Sequence, residues 1–113
     1  MALHKEVERI CRELGDRAGL AATLGNEALI LRARGDLDGA MALRKVEERT
    51  FRELGDPARL ATSLANQASL LHKMGRPREA RRLAEEAYRL ASQHGLTALA
   101  QQIRPILDWQ RRG

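Results

Sequence analysis

Apolar residues recur along the chain at helical spacing. In residues 57–74 they follow one another at intervals of four, four and three, which places them on one face of a helix. Residues 77–94 carry a second face of this kind, built from alanine and leucine. Aspartate or proline precedes such segments and glycine follows them, and these residue types favour helix starts and helix ends. The pattern predicts alternating helices, short loops and no strands.

The pattern repeats with a period of 40 residues. Aligning residues 1–40 with 41–80 gives 20 identities in 40 pairs, and the stretch ERICRELGD, which begins at Glu8, returns as ERTFRELGD from Glu48. Dense repetition at such a period is typical of solenoids built from stacked helical units. In both copies we expect the letters RELGD to form the end of one helix, a glycine stop and the aspartate cap of the next helix.

Over the whole chain these signals predict an all-α fold of about six helices. Pro105 falls inside the last helix and should kink or break it, because proline lacks the N–H that the helix needs. The predicted helices span 2–14, 17–34, 37–54, 57–74, 77–94 and roughly 98–110. The predicted single domain comprises a half repeat (1–16), two repeats (17–56 and 57–95) and a C-terminal capping helix (96–113).

The composition narrows the class of protein. Aromatic residues make up only 3% of the chain, which disfavours sheets. Cys11 is the only cysteine, so a disulfide within the chain and a cysteine-based metal site are excluded. No apolar run approaches the roughly 20 residues of a membrane span, and the N-terminal residues are too charged for a signal peptide. We therefore expect a cytoplasmic protein, whose net charge of +5 serves solubility.

Small and apolar residues stand at corresponding places in the two predicted hairpins: Ala28, Leu31, Gly35 and Ala40 in the first, and Ala68, Leu71, Gly75, Ala80, Ala84 and Ala87 in the second. This pattern resembles the tetratricopeptide repeat, in the 40-residue form of kinesin light chains. The resemblance implies a right-handed α-solenoid of antiparallel helix hairpins that binds other proteins in a concave groove. Arg44 and Glu47 depart from the family, which has a bulky apolar and a small residue there. We expect a looser face or a different neighbour at that place.

No arrangement of residues indicates catalysis. The three histidines lie on different predicted helices, without a carboxylate or cysteine at the spacing of metal ligands. The glycines do not form a phosphate-binding loop. We therefore predict that the chain is not an enzyme and holds no metal or cofactor.

Asn26 and Asn66 are the strongest candidates for a binding site, since each occupies the same place in the first helix of its hairpin. In the family an asparagine there contacts the backbone of a bound peptide, and a side-chain amide can both donate and accept hydrogen bonds. The alternative is that each asparagine ties its own helix to the next. On the binding interpretation, the groove favours an extended acidic peptide. The other predicted groove residues are Arg32, Thr62, Ser69, His72 and Lys73.

Arginines cluster near the start of the second hairpin's outer helix and at the C-terminus. Such a cluster can bind nucleic acid. Here glutamates interrupt it and no aromatic residues lie among the arginines, so we expect a solvated face. The cluster comprises Arg76, Arg78, Arg81, Arg82, Arg111 and Arg112.

The chain begins in the middle of a repeat, so its first predicted helix lacks the partner that would cover one apolar face. Solenoid ends need polar caps, and residues 98–109 resemble one at the other end. We predict that the uncovered face associates with a second copy of the chain, the alternative being that charged neighbours keep it soluble. A competing interpretation of the whole chain follows, namely a natural or designed repeat fragment that only self-assembles. The uncovered face comprises Leu3, Val7, Ile10 and Leu14.

Overall fold

The computed structural model describes residues 2–112, with side chains described for residues 9, 10 and 12–108. This part of the chain is helical apart from short turns and contains no strand. The predicted all-α repeat architecture is therefore confirmed, with five helices in the described residues. They are α1 (Ala2–Ala33), α2 (Leu37–Leu54), α3 (Pro57–Lys73), α4 (Pro77–Gln93) and α5 (Thr97–Arg112).

Each helix packs mainly against the helices next to it in the chain. α1 packs on α2, α2 on α3, α3 on α4 and α4 on α5, and α3 also contacts α5. The result is an elongated row of helices that measures 61 × 33 × 19 Å. Such packing between neighbours is typical of repeat proteins.

Four glycines at intervals of 20 residues make the turns between helices. They adopt positive φ angles between 67° and 87°, a left-handed conformation that glycine reaches without steric cost. After each glycine, the next backbone N–H donates to a carbonyl five residues earlier, at 2.8–3.0 Å, which closes the end of the preceding helix. The four glycines are Gly35, Gly55, Gly75 and Gly95.

Aspartate caps begin two of the helices. The carboxylate of Asp36 accepts from the backbone N–H of Gly39 at 2.9 Å, and that of Asp56 accepts from Arg59 at 3.1 Å. Pro57 then occupies the first position of α3, where its missing N–H costs nothing. The second RELGD stretch therefore forms the predicted helix end, glycine stop and aspartate cap.

The first RELGD stretch does not form the predicted turn. Gly15 continues the series of turn glycines backwards by 20 residues, yet it lies inside α1, which runs unbroken from Ala2 to Ala33. The predicted separate helices 2–14 and 17–34 are one helix, so residues 2–112 form five helices and not six. The two copies differ at the next residue: Pro57 lacks an N–H and favours a helix start, whereas Arg17 at the corresponding place can donate within the helix.

Pro105 lies within α5 without ending it. The helix continues from Thr97 to Arg112, so the predicted break is absent. Proline removes the hydrogen bond that the carbonyl of Gln101 would accept. Both Pro105 and Gln101 are exposed, so water can solvate that carbonyl.

Alanine fills most of the space between the helices. Ala40, Ala68, Ala80 and Ala84 are fully buried in one cluster, where Ile106 of α5 covers its end. Small side chains let the helix axes approach one another closely. A second cluster joins all five helices through Ala21, Phe51, Leu60, Leu64, Ala87, Ala91, Ala100 and Ile103.

Candidate functional site

Four of the predicted groove residues form one stripe along α3. Thr62, Asn66, Ser69 and Lys73 follow one another at intervals of four, three and four, which keeps them on the same side of the helix. Thr62 and Lys73 are exposed, while the other two are half-buried. The hydroxyl of Thr62 donates to the carbonyl oxygen of Ala58 at 2.9 Å, so its oxygen remains able to accept from a ligand.

The corresponding stripe of α1 is mostly apolar around Asn26. Ala22, Leu29 and Ala33 occupy the places that Thr62, Ser69 and Lys73 occupy on α3, and all three are exposed. Leu29 was not predicted as a site residue from the sequence, although its alignment with the predicted groove residue Ser69 could have identified it. We call these two stripes together the asparagine face; its residues on α1 are mostly apolar and its residues on α3 are polar.

Arg32 and His72 lie beside the asparagine face. Each is turned by about 90° around its helix from the stripe, given a rotation of about 100° per residue. Arg32 is half-buried, whereas His72 is exposed and engaged in an interaction of its own. Among the cations predicted for the groove, Lys73 is the one that lies on the stripe.

The side-chain amides of Asn26 and Asn66 make no hydrogen bond to another described residue. Asn26 is exposed and Asn66 is half-buried. The alternative interpretation, in which each amide ties its helix to the next, therefore finds no support within residues 9–108. Both amides keep their capacity to donate and accept.

A buried ion pair stands where alanines stand in the next repeat. Arg44 Nη1 lies 3.1 Å from Glu47 Oε1, and both side chains are more than 90% buried. Gly25 of α1 lies against this pair, because a Cβ built on it would be 2.5 Å from Oε2 of Glu47 and 3.2 Å from Nη1 of Arg44. The predicted looser face is thus occupied by the ion pair, which packs against α1.

Two polar side chains of α3 bind the backbone of α2. Ser63 Oγ donates to the carbonyl oxygen of Arg44 at 3.1 Å, and Gln67 Nε2 lies 3.4 Å from the same oxygen. Gln67 Nε2 also donates to Oε1 of Glu48 at 2.8 Å. Both residues are 1% exposed, so these hydrogen bonds satisfy groups that would be costly to bury alone.

Arg52 links α2 to α4. Its guanidinium donates to Glu86 at 3.0 Å and to Glu48 at 3.2 Å. These hydrogen bonds, the one to Glu86 first, raise the pKa of Arg52 above its ordinary value. The two hydrogen bonds therefore favour the charged form of the guanidinium.

Glutamates neutralise part of the predicted arginine cluster. Arg76 pairs with Glu79 at 2.7 Å, and Arg81 pairs with Glu85 at 3.0 Å. This pairing supports a solvated face over a nucleic-acid patch. Arg111 and Arg112 fall outside the described side chains.

The predicted self-association face is partly described. Ile10 and Leu14 are about half-exposed on α1, beyond the part of the helix that α2 covers. Leu3 and Val7 lie outside the described side chains. Nearer the middle of α1, Arg17 pairs with Glu53, close to the end of α2.

No family model matches the chain, and neither a curated protein nor a solved structure matches it. Among the residues whose side chains are described, no group of three histidine, cysteine, aspartate or glutamate residues is placed to hold a metal ion. No helix in the described part of the chain has the length and apolar character to cross a membrane.

Proposed function

We propose that this chain is a tetratricopeptide-like scaffold that binds an extended, acidic peptide segment along the asparagine face. The observation that carries the proposal is the pair of amides at Asn26 and Asn66. They occupy the same register position on α1 and α3, and no described residue uses their hydrogen-bonding capacity. Two amides in this relation can each match one peptide unit of an extended chain.

Charge and shape favour an acidic ligand with an apolar residue. Lys73 ends the stripe on α3, and the chain as a whole carries a net charge of +5. Leu29 offers an apolar contact beside Asn26. We therefore propose a peptide that places a carboxylate near Lys73 and an apolar side chain near Leu29, with micromolar affinity. The protein would act in the cytoplasm, without catalysis.

The alternative function is self-assembly without a separate ligand. Ile10 and Leu14 on α1 favour it, because both are apolar, about half-exposed and beyond the cover of α2. Exposed apolar patches commonly mark interaction surfaces. The two functions use different faces of α1 and can be tested separately.

Titration against a library of acidic and neutral extended peptides tests the binding proposal. We expect Asn66→Ala and Asn26→Ala each to weaken binding about fivefold to tenfold, which corresponds to one lost hydrogen bond of about 1 kcal/mol. Gln93→Ala is the matched control, since it removes an exposed amide from α4. Binding that is unchanged in both asparagine variants, or weakened equally in the control, would rule out the asparagine face.

A further inference from the structure

Corresponding faces of α1 and α3 differ in what covers them. Leu60 and Leu70 of α3 are 6% and 2% exposed, whereas their counterparts Leu20 and Ile30 of α1 are 62% and 51% exposed. The face of α1 defined by these two residues and the polar residues between them is here called the docking face. It comprises Leu20, Thr23, Glu27 and Ile30, the counterparts of Leu60, Ser63, Gln67 and Leu70.

On α3 this face is covered by α2, whose Ala40 and Met41 share a cluster with Leu70. Ser63 and Gln67 bind the carbonyl oxygen of Arg44, Gln67 also binds Glu48, and Phe51 packs in one cluster with Leu60. A helix that runs antiparallel to α3 is thus the natural cover for such a face. The docking face of α1 has no such cover among the described residues.

The chain carries a second copy of the covering helix. Residues 2–14, here called the arm, align with residues 42–54 of α2, and the stretch that begins at Glu8 matches the one that begins at Glu48 in seven of nine letters. The chain therefore contains two copies of the covering helix and two copies of the face that this helix covers. In the described structure only one of the two interfaces is formed.

The arm cannot cover the docking face of its own chain while α1 stays straight. α1 runs through Gly15 and Asp16 without a turn, so the arm extends along the helix axis, away from Leu20 and Ile30. We propose that the docking face of one copy binds the arm of a second copy, antiparallel, as α2 binds α3. The arm is about 20 Å long at 1.5 Å per residue, and the docking face is about 15 Å long from Leu20 to Ile30, so the arm is long enough to cover it.

The chemistry of the pairing carries over with two exceptions, one of which is that Cys11 stands at the place of Phe51, which packs in one cluster with Leu60. Thr23 replaces Ser63, and its hydroxyl, which now donates to the carbonyl oxygen of Gly19 at 3.1 Å, can donate to the arm's backbone in the same way. The hydrogen bond from Gln67 to Glu48, however, corresponds to Glu27 facing Glu8, which brings two carboxylates together. This repulsion makes the pairing between copies weaker than that between α2 and α3.

The straight helix also sets the form of the assembly. The arm positions that match Arg44, Glu48 and Phe51 lie about 120° around α1 from the docking face, at about 100° per residue. Because of this offset, two straight α1 helices cannot each place their arm on the docking face of the other at the same time. The association is therefore head-to-tail, which leaves a free arm and a free docking face at the ends.

The single cysteine provides a direct test. Cys11 matches Phe51 and Leu20 matches Leu60, so Leu20→Cys puts two thiols at the interface. Mild oxidation should give a ladder of covalent dimers and larger species on a non-reducing gel. Val46→Cys, at an exposed position of α2, is the matched control and should give no ladder. A monomer with an internal disulfide, or equal ladders from both variants, would overturn the proposal.

Equilibrium sedimentation of the full chain tests the association itself. Ile30→Glu should lower the apparent mass to that of the monomer, and Val46→Glu, a change of equal charge at another exposed apolar position, should not. Glu27→Gln restores the α3 residue and should tighten association roughly tenfold, the effect of a hydrogen bond to a charged group. Monomeric wild type and monomeric Glu27→Gln at high concentration would contradict arm docking while leaving the peptide-binding proposal untouched.

Discussion

Gly25 of α1 and Glu47 of α2 fit together because Gly25 has no side chain. A Cβ at position 25 would lie 2.5 Å from Oε2 of Glu47, closer than such atoms approach in proteins. In the next repeat, the places of Gly25, Arg44 and Glu47 hold Ala65, Ala84 and Ala87. One hairpin therefore uses a glycine with a buried ion pair, and the other uses three alanines.

The first prediction concerns Gly25→Ala. Alanine in a helix interior is ordinarily favoured over glycine by about 1 kcal/mol. Here the steric conflict with Glu47 opposes that gain, and overpacking commonly costs about 1–3 kcal/mol. We expect a net destabilisation of up to about 2 kcal/mol in urea unfolding. Gly19→Ala is the control, because a Cβ there meets nothing within 4 Å, and it should stabilise the chain.

The second prediction concerns the ion pair. Arg44→Ala or Glu47→Ala alone leaves a buried charge without its partner, which commonly costs about 3–5 kcal/mol. The triple variant with Gly25→Ala, Arg44→Ala and Glu47→Ala copies the next repeat and should recover most of that loss. Urea unfolding of the single and triple variants measures the coupling. A triple variant less stable than either single ion-pair variant would contradict the equivalence of the two hairpins.

The third prediction concerns Arg17→Pro. Proline at this place copies Pro57 and removes the N–H that lets α1 run on. We expect α1 to begin near residue 17, and the arm to fold back on Leu20 and Ile30 of its own chain. The longest dimension in small-angle scattering, which corresponds to the 61 Å extent of the structure, should fall. Arg17→Ala is the control, since it loses the exposed pair with Glu53 but keeps the N–H.

The fourth prediction concerns Gln67→Glu. The introduced carboxyl would face Glu48 and the carbonyl oxygen of Arg44, in a place that is 1% exposed. Repulsion and burial would both raise its pKa in the folded chain above the unfolded value. The folded state then binds the extra proton more tightly, so stability relative to wild type is lowest at neutral pH and rises as pH falls. We expect a loss of about 2 kcal/mol near pH 7, about half recovered near pH 5 and largely recovered near pH 4, where the carboxyl is protonated in the unfolded chain as well. A loss that does not vary with pH would contradict this reason.

The two copies of RELGD show how far turns can be predicted from the sequence. At Gly55 and Asp56 the predicted stop and cap are present, and Pro57 favours them. At Gly15 the same letters lie inside a helix, and the residue after the aspartate is Arg17, which can donate within that helix. The sequence of these five residues alone does not determine whether a turn forms. Gly35 and Asp36 form the same stop and cap before Leu37, so a following proline favours the turn but is not required for it.

The ion pair marks a second limit. The sequence identifies Arg44 and Glu47 as departures from the resemblance, but it does not relate them to Gly25, which lies about 20 residues earlier. The fit between Gly25 and the ion pair can be recognised only when α1 is known to pack against α2. The asparagine face was easier to predict, because Thr62, Asn66, Ser69 and Lys73 lie on one helix at helical spacing.

Packing between neighbours along the chain has a kinetic consequence. Contacts that are close in sequence favour rapid folding, because little loop entropy is lost before they form. α3 contacts three other helices, whereas the first half of α1 extends past the end of α2. Amide protons of α3 should therefore exchange with solvent most slowly and those before Arg17 fastest, with the order of protection following the row of helices outward from its middle.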